Sequence, residues 1–177
     1  MIPLMLHRQH RVAAAIAALM MAADAAAQNC NEEPRAERKL LVSLADRKLA
    51  LVENGSVVKV YDVAVGAKAS PTPAGAYQIV NRIPDPTWYG PKQVVQPGKR
   101  NPLGTRWMGL SLKGYGIHGT NNPRSIGRMA SHGCIRMRNA DVEDLFERVN
   151  VGDAVEFIAA PDESIARWFR PVEPLAD

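Results

Sequence analysis

Between Tyr115 and Arg138 the chain reads YGIHGTNNPRSIGRMASHGCIRMR, which gathers two of its four histidines and one of its two cysteines. A thiol serves as an acyl-transfer nucleophile when three conditions meet: a base or positive field, donors for the developing oxyanion, and access. Ser131, His132, Gly133 and Cys134 bring much of this together locally. Gly133 permits a tight turn on which successive N–H groups converge on one oxygen. His118 is distant enough in sequence to arrive from a neighbouring strand and face the sulfur. Arg136, two residues beyond Cys134, shares its side if that segment is extended.

The charge pattern bears on the same stretch. From Pro86 to Ala140 there are nine Lys or Arg and no acid, although the chain holds eighteen Asp and Glu. Such a field favours thiolate, with a pKa well below the free value of ~8.5, and it attracts an anionic substrate. Other readings compete. The basic window can be a solvated band with no role, and His118, His132 and Cys134 can be three ligands of a zinc ion with an open position. The export signal that residues 1–27 resemble and the lack of a nucleic-acid-binding motif disfavour a nucleic-acid partner.

The elements that must position these residues follow from length and periodicity. A chain of 177 residues, 46% hydrophobic and 23% charged, accommodates one globular domain and excludes wholesale disorder. Two cysteines exclude a disulfide-stapled scaffold, while thirteen Gly and thirteen Pro favour a turn-rich β protein. No apolar run reaches the length of a spanning helix.

Residues 1–27 read as a signal peptide: His7, Arg8, His10 and Arg11, then VAAAIAALMMAA, then Ala25, Ala26 and Ala27 as a small-residue cleavage site. The expected mature protein is periplasmic or secreted, with no membrane span after cleavage. In an oxidising compartment Cys30 and Cys134 can pair, which is the bland alternative to a reactive Cys134. Residues 28–38 read as a flexible lead-in, 39–160 as the domain and 161–177 as a C-terminal extension.

Within the domain, Leu40, Val42 and Leu44 alternate, as do Leu49, Leu51 and Glu53, which reads as a hairpin. Asn54-Gly55 is a turn, followed by a strand over 56–65 and another over 76–82. The stretch 84–104, rich in Pro, Gly, Trp and Tyr, reads as a long functional loop. Short strands are expected at 107–112, 116–118 and 154–158. A helix is expected over 140–149, with Asn139 as its N-cap.

The motif resembles the signature of the L,D-transpeptidase (YkuD-type) family of bacterial cell-wall enzymes. The resemblance rests on His118-Gly119-Thr120, Pro123, Ser125-Ile126-Gly127 and Ser131-His132-Gly133-Cys134-Ile135-Arg136-Met137, with Thr72-Pro73-Ala74-Gly75-Ala76-Tyr77 upstream. It runs from about Lys39 to Ile158. It implies a mainly β fold with one or two short helices, a β-sandwich-type catalytic domain. It also implies a cysteine-dependent acyltransferase in which Cys134 is the nucleophile and His118 the general base and later acid. The carbonyl of Gly119 would orient His118, and N–H groups of His132, Gly133 and Cys134 would form the oxyanion hole. Arg136 would hold a stem-peptide carboxylate, with Ser131 beside it in a supporting place.

The implied donor is a peptidoglycan tetrapeptide stem that loses its terminal D-Ala. The acceptor is an amine of a second stem or of another partner such as a lipoprotein. No metal or cofactor is needed, and carbapenem-type inhibitors would acylate Cys134. Using the same site with water gives an L,D-carboxypeptidase or a hydrolase of wall-protein links. A non-enzymatic wall-binding module is the remaining reading from another class.

Overall fold

The structure, a computed structural model, describes residues 37–160 and 163–169. The expected signal segment, most of the lead-in and Cys30 lie outside the described residues. Alternating apolar side chains build an antiparallel meander of β1 (Arg38–Ser43), β2 (Lys48–Glu53) and β3 (Ser56–Asp62). Asn54 and Gly55 take φ values of 50° and 76°, as a two-residue hairpin turn requires.

β3 stops at Asp62, short of the expected Val65, because the next residues change partners. Ala64 donates its N–H to the carbonyl of Arg136 at 2.8 Å and accepts the N–H of Arg136 at 2.9 Å. The short β4 (Val65–Gly66) then pairs in parallel with β10 (Met129–Ser131).

The remaining strands are β5 (Gly75–Pro84), β6 (Trp88–Tyr89), β7 (Val94–Val95), β8 (Arg106–Leu110), β9 (Gly116–His118), β11 (Ile135–Arg136) and β12 (Ala154–Ile158). Eight strands make one mixed sheet in the order β11-β9-β8-β5-β12-β1-β2-β3. Its two edges are β3 and β11, yet the Ala64–Arg136 bridge ties the chain leaving β3 to β11. The sheet therefore curls until its edges meet.

The core fills the inside of that curl. Leu40, Leu49, Tyr61, Ile79, Met108, Ile117 and Ile135 from the sheet form one buried cluster with Val142, Leu145 and Phe146 of helix α1 (Asn139–Arg148). A second, smaller cluster on the outer face unites Leu41, Ala50 and Val52 with Trp168 and Phe169, which follow the short helix α2 (Glu163–Ala166). Among the described residues the fold is mainly β with one substantial helix and one short one, as expected.

Two local expectations change. Asn139 is not the N-cap of α1: it is the first helical residue, Arg138 holds the cap position, and no side chain caps the end. The Oδ1 of Asn139 is instead engaged by the N–H of Thr120 at 3.0 Å. The stretch 84–104 is not a featureless loop, since β6 and β7 form a small hairpin. Its stem is pinned by the fully buried Asn101, whose Nδ2 donates to the carbonyl of Pro86 at 2.7 Å and whose Oδ1 accepts the N–H of Leu103 at 2.8 Å.

Candidate functional site

β9 and β11 run parallel in a register that places Arg136 beside His118 and Ile135 beside Ile117. Side chains alternate across a strand, so the register sorts the residues by face. Ile117 and Ile135 are fully buried in the core. His118 and Arg136 belong to the opposite face, and Cys134, in the turn just before β11, is near enough to Arg136 to feel its charge. On β8, Trp107 lies opposite His118, and the two rings stack with centroids 5.7 Å apart. A Cβ on Gly116 would come within 2.6 Å of the Trp107 ring, so this close fit needs a glycine.

His118 is only 4% exposed. Its Nδ1 lies 2.6 Å from the carbonyl oxygen of Gly119. A carbonyl only accepts, so Nδ1 carries the hydrogen and Nε2 keeps a bare lone pair. Burial pushes the imidazole pKa down to about 4, the Gly119 carbonyl opposes this, and the Arg136 charge lowers it further. The ring is neutral at pH 7.

Cys134 is a free, half-buried thiol. Burial pushes its pKa up, against smaller downward pulls from the backbone of Gly116 and from Arg136. The basic window therefore does not produce a resting thiolate: removal from water outweighs the positive field, contrary to the reading from charge alone. The Sγ lies 3.8 Å from the carbonyl of Gly114, and no hydrogen bond joins it to His118 in this conformation. Such pairs commonly tighten only with substrate in place.

The Ser131–Cys134 turn is held from inside. The N–H of Gly133 donates to Ser131 Oγ at 3.0 Å, and that hydroxyl donates to the carbonyl of Cys134 at 2.5 Å. The Gly133 amide is thus committed to the turn, which leaves the amides of His132 and Cys134 as the remaining members of the expected trio. Gly133 has φ +116°, and a Cβ there would press to 2.6 Å from the Tyr115 ring. Only glycine fits. His132 is exposed.

Arg136 is half-buried, and burial lowers its pKa from the ordinary guanidinium value while the Cys134 sulfur opposes this. Its Nε is enclosed without a partner, and among the described residues it forms no ion pair. It is a cation facing the sulfur's side of the sheet with its charge uncompensated. Among the described residues no group of three or more His, Cys, Asp or Glu side chains is placed to hold a metal ion, so His118, His132 and Cys134 do not form a zinc ligand set.

Sequence reasoning left Thr72 without a role. Its hydroxyl accepts the N–H of Gly66 at 2.8 Å and donates to the carbonyl of Gly133 at 2.7 Å. It therefore couples β4 to the cysteine turn. The signal was its setting, a hydroxyl between Pro71 and Pro73, where the backbone is already stiff.

The profile of the L,D-transpeptidase catalytic domain family, YkuD, matches residues 37–157. YkuD of Bacillus licheniformis, whose name designates an L,D-transpeptidase, is 44% identical over 117 residues, covering 66% of this chain and 63% of the relative. YqjB of Bacillus subtilis, similarly designated, is 38% identical over 121 residues, covering 66% and 68%. The chain thus spans about two thirds of the length of these relatives. Among solved structures, the catalytic domain of an E. faecium L,D-transpeptidase is 26% identical with a TM-score of 0.57, covering 71% of this chain and 99% of that one. An L,D-transpeptidase from Mycobacterium tuberculosis has a TM-score of 0.59 at 18% identity over 70% of this chain and 58% of its own, a likeness of fold alone.

Proposed function

The chain belongs to the YkuD family of L,D-transpeptidase catalytic domains, and from that membership we propose that it is a peptidoglycan L,D-transpeptidase working through a Cys134 thioester. The observation that carries this reading is the β9–β11 register, which pairs His118 with Arg136, two residues from Cys134, while the Gly119 carbonyl engages the His118 ring. The donor is a tetrapeptide stem. Arg136, partly desolvated and without an ion pair among the described residues, receives a stem carboxylate through its planar fork.

Thiol and imidazole start neutral, so the base works as attack proceeds. Nε2 of His118 takes the thiol proton while Sγ bonds to the carbonyl carbon of the stem's third residue. The oxyanion that forms is met by the amides of His132 and Cys134. His118 then returns the proton to the departing nitrogen, the C–N bond breaks, and D-Ala leaves as a neutral amine. An amine of a second stem, or of another acceptor such as a lipoprotein, attacks the thioester, gives a proton to His118 and frees the thiol. A thioester retains acyl potential where ATP is absent, which suits an exported enzyme. We place the protein in the periplasm or outside the cell on the strength of its first 27 residues.

The test is incubation of the protein with defined tetrapeptide muropeptides, weighing the products by mass spectrometry beside Cys134→Ala. Cross-linked dimers lacking one D-Ala are expected, and none from the variant. Turnover that survives Cys134→Ala with a native circular-dichroism spectrum would remove the cysteine from its role. Tripeptide monomers alone would make water the acceptor and the enzyme an L,D-carboxypeptidase.

A further inference from the structure

The orienting group of His118 is not a side chain but one peptide unit, that between Gly119 and Thr120. Both its ends are engaged. Its carbonyl holds His118 Nδ1 at 2.6 Å, and its N–H donates to Asn139 Oδ1 at 3.0 Å. The unit before it is also tied, since the N–H of Gly119 donates to the carbonyl of Arg106 at 3.1 Å. Asn139 stands at the start of α1, whose Val142, Leu145 and Phe146 are anchored in the core.

The junction is assembled around the absence of side chains. A Cβ on Gly119 would lie 2.3 Å from Asn139 Oδ1. A Cβ on Gly104, at the end of the hairpin stem, would lie 2.2 Å from the same oxygen and 2.5 Å from the Thr120 nitrogen. Two glycines and one amide side chain therefore close on a single peptide unit. An acceptor on its N–H fixes the plane and, through the conjugated amide, enriches the carbonyl that His118 leans on.

We propose that Asn139 is a positioning residue for His118, acting through the Gly119–Thr120 peptide unit to fix the direction and tautomer of the imidazole. The inference rests on the reading of His118 as the general base, and it concerns a residue that reads from sequence as an ordinary helix cap. The charged group that bears on the ring is Arg136 from β11, while β8 presents the neutral Trp107. Neither supplies the acceptor for Nδ1, so the orientation depends on the peptide unit.

The test combines imidazole 15N spectra of the full-length protein with turnover of a defined tetrapeptide muropeptide. Asn139→Ala removes the acceptor; Asn139→Asp keeps an oxygen there and a favourable charge at a helix start. In the wild type and Asn139→Asp, His118 should show a protonated Nδ1 and a bare Nε2. In Asn139→Ala the two tautomers should mix, with kcat per folded molecule at least about tenfold lower and KM changed less than about twofold. Asn139→Ser, whose hydroxyl stops one bond short of the Oδ1 position that Thr120 N–H reaches, serves if the alanine variant does not fold.

Tyr61→Phe is the stability control, because it removes the Tyr61–Asp144 bond at 2.5 Å elsewhere on the same helix and should leave the His118 signals unmoved. An unchanged His118 tautomer in Asn139→Ala, or equal defects in the alanine and aspartate variants, would overturn the inference. His118→Ala is run alongside. If it keeps full turnover the base assignment itself has failed, an outcome separate from a failure of Asn139 alone.

Discussion

At Cys134 two influences oppose each other, and their ranking decides how the enzyme rests. Burial raises the thiol pKa, while the Gly116 backbone and the Arg136 charge lower it by less. Beside it, His118 stays neutral because burial dominates there too. The two groups then rest as a neutral thiol and a neutral imidazole, not as a standing thiolate–imidazolium ion pair. A neutral thiol is less open to oxidants and stray electrophiles than a thiolate. Iodoacetamide alkylation of Cys134, followed on its own peptide by mass spectrometry, should rise with a midpoint above the ~8.5 of a free thiol. Arg136→Gln should move that midpoint higher and slow alkylation several-fold at pH 8, since it removes a charge that favours the thiolate. A wild-type midpoint below 7 would show that the field outweighs burial after all.

Elements, not single residues, bring the site together, and Thr72 shows how. Its hydroxyl links the Gly66 amide to the Gly133 carbonyl, so the segment between β4 and β5 braces the cysteine turn. Thr72→Val keeps the shape and loses both bonds, leaving two buried groups unpaired. The expected cost is about 2–4 kcal/mol of stability together with a fall in kcat, and Thr72→Ser should restore both. Full activity in the valine variant would reduce Thr72 to filler.

The sequence was legible where the signal is local. β1, β2 and their hairpin, the Asn54-Gly55 turn and α1 each announce themselves in periodicity or turn chemistry, and Cys134, His118 and Arg136 in residue type and spacing. β4, β10 and β11 did not, because strands of two or three residues carry no period and exist only through distant partners such as Ala64. Asn139 misled for a related reason. Asn before an acidic, apolar-periodic run fits a cap, but a nearby backbone N–H from Thr120 won the side chain. The thiolate expectation failed because charge can be counted along a sequence, whereas desolvation is a property of the fold.

For the molecule as a whole, the site spans β9, β11 and the turn before β11, and β11 is the edge strand that the Ala64–Arg136 bridge joins to the chain leaving β3. The face carrying His118 backs onto the core through Ile117 and Ile135. The ring's protonation is therefore coupled to global stability. Folded, His118 takes up its proton only near pH 4. In the unfolded chain it does so near the ordinary value of about 6.5.

Between those values the unfolded state binds a proton that the native state refuses, so stability must fall as pH drops through this window. The depression of His118 corresponds to about 3 kcal/mol by pH 4. The carboxylates act lower. Hydrogen bonds from Tyr61, Lys59 and Arg148 hold Asp144 down to about 2, and Lys48 and Arg138 lower Asp62. Their contribution, present above the ordinary carboxylate range, is lost only as pH falls further toward 2. Urea denaturation at pH 7, 5.5 and 4.5 should show the wild type losing stability steadily, while His118→Gln, which has no proton to gain there, stays nearly flat. Parallel slopes for the two proteins would mean that His118 titrates as freely in the native state as in the unfolded chain, and the neutral-base reading of the site would go with it.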